Sequence, residues 1–162
     1  MGLTLSGFTD RARAVVEGAC QAATTREQPT VNSAHLLLAL ARADRGLGRV
    51  TLEQFGVFLE NEMEEIERLI ATSCANAVQQ EKTLGRELRT ILKNAKVQSR
   101  TLYQRWVGSE HLILALLAIE SPVAAFLKNR TITEREFRAE MLRLLTGEPH
   151  AESVKTQSHP KQ

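Results

Sequence analysis

The sequence predicts an all-α chain made of two copies of one four-helix unit. Two observations predict it. Apolar residues recur at helical spacing throughout, and no segment sustains the period-two alternation of a half-buried strand. In addition, Val31-Asn32-Ser33-Ala34-His35-Leu36-Leu37-Leu38-Ala39-Leu40-Ala41 reappears without gaps as Val107-Gly108-Ser109-Glu110-His111-Leu112-Ile113-Leu114-Ala115-Leu116-Leu117. The two histidines lie 111 − 35 = 76 residues apart, and a repeat at a fixed offset is the mark of a duplicated unit.

The first helix opens at Thr9, a capping residue, with Asp10 in its first turn, where the helix dipole favours an anion. Ala12, Val15, Val16, Ala19, Cys20 and Ala23 form its apolar face, which makes Cys20 a small buried thiol. Thr24 to Pro29 is polar and ends the segment. A second helix begins after Ser33 and runs to about Asp44; its leucines make it apolar nearly all round, hence central. Arg45-Gly46-Leu47-Gly48 reads as a turn, followed by a short helix through Leu52 that stops at Gly56. Leu59, Met63, Ile66 and Ile70 mark a fourth helix, with Glu60, Glu62, Glu64, Glu65 and Glu67 on its other faces as a solvated set or a partner surface.

The second unit repeats the pattern. Leu84, Leu88, Ile91, Leu92 and Ala95 reproduce the first core face, with Leu84 in the place of Phe8. Gly108 is then a tight turn and Ser109 the expected N-cap, so that Ser109→Ala is expected to cost about 0.5–2 kcal/mol. Ser121-Pro122 starts the next helix, with proline at its first position. Thr133 to Glu136 is a capping box for a helix with Phe137, Met141, Leu144 and Leu145 on its face, ended by Gly147. The division is therefore one domain over 1–147, with repeat one at about 7–71, a polar linker at 72–82 and repeat two at about 83–147. Residues 148–162 read as a disordered tail.

Composition narrows the function. Hydrophobic residues at 43% can build a core, and aromatics at 4% leave Leu, Ala, Ile and Val to fill it. The 21 basic and 19 acidic residues nearly cancel, and the basic ones are scattered along the sequence, which argues against nucleic acid as a partner. Cys20 and Cys74 form neither a disulfide framework nor a CxxC pair. No secretory signal precedes the first helix and no apolar run has the ~18 residues of a membrane span, so a soluble, cytoplasmic chain is expected. Asn129-Arg130-Thr131 matches a glycosylation sequon, which has no meaning without secretion. No phosphate loop, zinc-protease helix, nucleophile elbow or dinucleotide fingerprint occurs. The chain reads as no enzyme, with no cofactor and no metal. His35 and His111, at equivalent positions, read as packing residues rather than ligands, and His150 and His159 sit in the tail.

Glu110 is the most informative polar residue. In the first turn of a helix it gains about 0.3–1 kcal/mol from the dipole. It also stands beside exposed amides, where its carboxylate could pair with a guanidinium while the amides receive an anion. A phosphorylated arginine carries both groups.

Phe8-Thr9-Asp10-Arg11-Ala12-Arg13 together with the two copies of the histidine stretch resembles the amino-terminal domain of Clp unfoldases; Val107 to Leu116 is the closer match to that family's G-T-E-H-[IL]-L-L-[AG]-L signature. The resemblance covers roughly residues 7–147. It implies a pseudo-twofold bundle of two four-helix repeats that receives substrates or adaptors for an ATP-driven unfoldase. It also implies phosphoarginine binding by a glutamate in each signature. Glu110, with Gly108, Ser109 and His111, matches the second such site. The first site, Asn32, Ser33, Ala34 and His35, is degenerate, because Ala34 replaces the glutamate and Asn32 the glycine. The resemblance points to a stand-alone accessory factor that docks on a Clp ATPase or Clp protease complex and modulates delivery of arginine-phosphorylated or unfolded proteins. A decoy that sequesters such proteins, or small-molecule ligands of Clp amino-terminal domains, is the alternative.

Overall fold

The computed structural model describes residues 5–43, 46–75 and 83–147. Within them lie α1 (Asp10–Thr25), α2 (Ser33–Arg42), α3 (Leu47–Gln54), α4 (Met63–Ala75), α5 (Arg86–Thr101), α6 (Ser109–Ala118), α7 (Pro122–Lys128) and α8 (Glu134–Thr146). Asp44, Arg45, most of the expected linker and the expected tail lie outside the described residues.

The duplication is visible in the boundaries. Adding 76 to the ends of α1 and α2 gives the ends of α5 and α6. From α4 to α8 the offset falls to 134 − 63 = 71, because the first unit spends extra residues on a 3₁₀ turn at Leu59–Asn61 that the second lacks. That turn, closed by Glu62 N–H bonding Leu59 O, is why the expected fourth helix starts at Met63 and not at Leu59.

The units interlock. Thr30–Val31 (β1) pairs in parallel with Thr83–Leu84 (β2), bringing Val31 opposite Leu84, while Phe8 bridges Val107. Positions 8 and 84 are equivalent, as are 31 and 107, so each unit lends its lead residue to the other. Thr9 N–H donates to Val107 O at 2.9 Å, and Gly85 N–H donates to Val31 O at 2.9 Å, the same bond after exchange of the units. This reciprocity is the pseudo-twofold. Two-residue strands are too short to show any sequence periodicity, so the chain remains all-α in architecture.

The core is continuous across both units. α2 and α6 lie at its centre; Leu36, Leu37, Leu38, Leu112, Ile113 and Leu114 are wholly buried. α1 offers Ala12, Val15, Val16, Ala19, Ala22 and Ala23, whereas Cys20 is only half-buried, one helical step off the expected face. At the other end Phe137 and Met141 are buried, but Leu145 is 48% exposed and Leu144 half-buried, so the expected apolar face is covered only over the first two turns of α8.

α3 packs chiefly on α6 and α8, across the unit boundary. This contact explains a difference from the sequence reading: Gly48 lies inside the helix and not in a turn. A Cβ there would sit 2.7 Å from Ile113 Cδ1 and 3.1 Å from Glu110 N, so only glycine lets the two backbones approach. Gly48→Ala is expected to destabilise the fold by about 1–3 kcal/mol through this overlap, despite alanine's better helix propensity. Urea denaturation measures it, and a stabilised variant would show that the approach is not tight.

Candidate functional site

The sequence-predicted residues gather at two equivalent helix starts. At α6 the N-cap is Gly108, in extended backbone, and Ser109 is the first helical residue; at α2 the N-cap is Asn32 rather than Ser33. The sequence pattern points to the serines, one position too late, since a serine before an apolar run looks like a cap whether or not the residue before it can serve. Asn32 Oδ1 accepts the N–H groups of Ala34 and His35, at 3.0 and 3.4 Å. Gly108 has no side chain to do this, so no side-chain cap exists at α6, and Ser109→Ala removes none.

The histidines do the same structural job in each unit. His35 Nδ1 accepts Asn32 N–H at 3.1 Å, and His111 Nδ1 accepts Gly108 N–H at 2.8 Å. With Nδ1 accepting, the ring proton lies on Nε2, which donates to Gln28 Oε1 at 2.5 Å in one unit and to Gln104 Oε1 in the other. Both rings are buried, and burial holds each pKa down to about 4, with Arg26 adding to the effect at His35. The glutamines escaped the sequence reading, although 104 − 28 = 76 marks them as a repeated pair. Among the described residues no group of three metal-ligating side chains forms a metal site.

The two starts differ in charge. Position 11 of the first unit corresponds to 87 of the second. Glu87 reaches from α5 to the start of α2, where Oε1 accepts Ser33 N–H at 2.9 Å. The amide end of the first site is thus already occupied by an anion of the chain itself. At the start of α6 the corresponding residue is Arg11, whose charge acts on Glu110 and whose Cδ lies 2.6 Å from where a Gly46 Cβ would stand. The Glu110 carboxylate folds back over Gly108, where a Cβ would overlap it. Burial raises its pKa, and the opposing effects of its own backbone N–H and of Arg11 do not cancel that rise. Among the described residues no cationic side chain stands within ion-pair distance of the carboxylate. Neither Arg11 nor Glu87 stands out in the sequence as a site residue, because neither belongs to the repeated histidine stretch.

An open groove of about 850 Å³ begins at Thr9, Asp10 and Arg11 and runs between α1 and α2 to Arg42. Ala14, Gly18 and Ala39 line its middle.

The profile of the family described as "Clp repeat (R) N-terminal domain" matches residues 7–130. A "Probable ATP-dependent Clp protease ATP-binding subunit" of Chlamydia pneumoniae is 30% identical over 139 residues, covering 85% of this chain and 16% of that protein. The ClpC ATP-binding subunit of Staphylococcus saprophyticus is 27% identical over 155 residues, covering 94% and 18%. This chain thus spans less than a fifth of the curated relatives it matches. In fold it is similar to the N-terminal domain of the Clp-associated chaperone ClpD from Arabidopsis thaliana, with TM-score 0.62 and 20% identity over 88% of this chain and 99% of that one.

Proposed function

The chain belongs to the Clp repeat N-terminal domain family, and from that premise we propose that it is a non-catalytic interaction module working with a Clp ATPase or protease in the cytoplasm, where it modulates substrate delivery by holding phosphoarginine at one site. One observation carries the finer part of this reading: at the start of α6 a half-buried, under-compensated carboxylate stands beside a cationic side chain and helix amides. Glu110 takes the ligand guanidinium by paired hydrogen bonds, and Arg11 with the α6 amides takes the phosphate. The groove that begins at Arg11 gives the flanking polypeptide a place to lie. The start of α2 is silent, since Ala34 supplies no carboxylate and Glu87 repels an incoming phosphate from Ser33 N–H. The Clp link rests on family membership.

Titration with free phosphoarginine, followed by amide NMR, tests the site. Shifts are expected at Gly108 to Leu112 and at Arg11, none at Asn32 to His35, and none with unmodified arginine. Glu110→Gln should abolish them while leaving the thermal midpoint unchanged or higher, because the raised carboxyl pKa means that the ionised form opposes folding at neutral pH. No shifts at millimolar ligand, or a Glu110→Gln variant that binds normally, would remove phosphoarginine from the reading. Co-purification with a Clp ATPase tests the rest separately.

A further inference from the structure

The outer face of α5 carries a stripe of positive charge. At about 100° and 1.5 Å per residue, Arg86, Arg89, Lys93, Lys96 and Arg100 fall within an arc of about 80° along about 21 Å of helix. The buried residues Leu88, Ile91, Leu92, Ala95, Gln98 and Ser99 take the opposite side. Four of the five cations are exposed, and Lys96 is half-buried with its ammonium 5.9 Å from the Phe8 ring centroid. Among the described residues no acidic side chain forms an ion pair with any of them. Basic residues that look scattered along the sequence are gathered here into one stripe.

Duplication supplies an internal control. The same positions of α1 are Asp10, Arg13, Glu17, Cys20 and Thr24, which carry one positive and two negative charges. α1 and α5 nonetheless form helices of 16 residues each with equivalent packing. The stripe is therefore no requirement of the fold. Like charges at i,i+3 and i,i+4 weaken a helix by a few tenths of a kcal/mol per pair, so it is held against a small local cost.

Apolar groups accompany the charge. Val97, on the same face, is 51% exposed. Tyr103 follows the end of α5, is 98% exposed and holds φ at +57°. Trp106 is 52% exposed, with the Arg105 guanidinium 5.8 Å from its ring centroid. A phosphate backbone gains nothing from Val97, and a nearly neutral chain with acids on its other faces is poorly suited to a long polyanion. An acidic amphipathic helix suits both features, because its carboxylates recur at the same pitch as the cations and its apolar side chains meet Val97 and the aromatics.

We propose that the outer face of α5, extended by Tyr103 and Trp106, is a docking surface for an acidic amphipathic helix of a partner protein. It is separate from the Glu110 site and stands or falls independently of it. Trp106 is the single tryptophan of the chain, so its fluorescence reads the surface directly. The probe is a synthetic helical peptide with glutamates at i, i+3, i+7, i+10 and i+14 and a leucine among them, run beside its glutamine analogue. The acidic peptide is expected to shift Trp106 emission, to weaken about tenfold or more from low to high salt, and to lose binding to the triple variant Arg89→Glu/Lys93→Glu/Arg100→Glu. Val97→Asp, exposed and outside the core, should also weaken it about tenfold by repelling the carboxylates and removing the apolar contact; it decides the question if the triple variant fails to fold. Equal binding of the glutamine analogue, or unchanged binding to the variants, would overturn the proposal. Displacement of the peptide by single-stranded DNA at equal or lower concentration would overturn it in favour of a general polyanion surface.

Discussion

Between pH 6.5 and 4 the chain is expected to lose much of its folding stability, because two buried histidines must remain neutral for it to fold. In the unfolded chain each imidazole takes up its proton near the ordinary value of 6.5, whereas in the fold burial holds each pKa down to about 4. Through that window the unfolded state binds protons that the native state refuses, so stability is complete above pH 6.5 and falls as the pH falls. A gap of this size is worth about 3 kcal/mol per histidine at 1.36 kcal/mol per pH unit. Two of them together are comparable with the roughly 5–15 kcal/mol that holds a typical domain. The geometry explains why the proton is refused: Nδ1 of each ring is already accepting a backbone N–H at its helix start. Protonation would turn that acceptor into a donor facing a donor. The unfolding free energy from urea denaturation should fall by about 1 kcal/mol per pH unit for each histidine between pH 6 and 5. His111→Asn should remove about half of the slope, at some loss of stability at pH 7. A slope that is unchanged in that variant would assign the acid sensitivity to other groups.

The same pair shows what sequence could and could not disclose. The 76-residue repeat and the apolar periodicity were enough for the class, for the equivalence of α1 with α5 and α2 with α6, and for the structural role of the histidines. Those features need only the helix period within one segment and the offset between the two copies. The caps at Asn32 and Gly108, the half-buried position of Cys20 and the helical Gly48 depend on one-residue phase or on a neighbouring backbone, which periodicity does not encode. The candidate site is half legible in the sequence. Glu110 lies in the repeated stretch and stood out, but Arg11 and Glu87 act on helix starts of the opposite unit. Their meaning appears only once Phe8 is seen to pair with Val107, and Val31 with Leu84.

The acidic residues before and along α4 show the same limit, and they lead to the second large effect. Read in sequence they are a solvated set or a partner surface; in the fold Glu67 pairs with Arg26 at 2.5 Å, Glu60 with Arg49 at 2.5 Å, and Glu65 with Arg68. Glu62 makes the contact with most consequence. Its two carboxylate oxygens accept Nε and Nη2 of Arg130 at 3.1 and 2.7 Å, across 68 residues of sequence and across the unit boundary. The guanidinium also donates to Phe126 O at 3.2 Å and lies 3.8 Å from the centroid of the Phe126 ring. A bidentate pair stacked on an aromatic face is far less mobile than an ordinary surface ion pair, and both side chains are less than a third exposed. Arg130→Ala leaves Glu62 without its partner, exposes Phe126 and frees the Phe126 carbonyl, and is expected to cost about 2–4 kcal/mol. Arg130→Lys should recover only part of this, since an ammonium can neither bond both oxygens in one plane nor stack in the same way. In a double-mutant cycle Arg130→Ala and Glu62→Ala should couple by about 1–2 kcal/mol. Additive losses, or full rescue by lysine, would reduce the contact to simple charge proximity. A confirmed coupling would mean that the two repeats are held together by a directional clamp at their rim as well as by the shared apolar core. A module that binds on one unit would then have its other unit fixed in register.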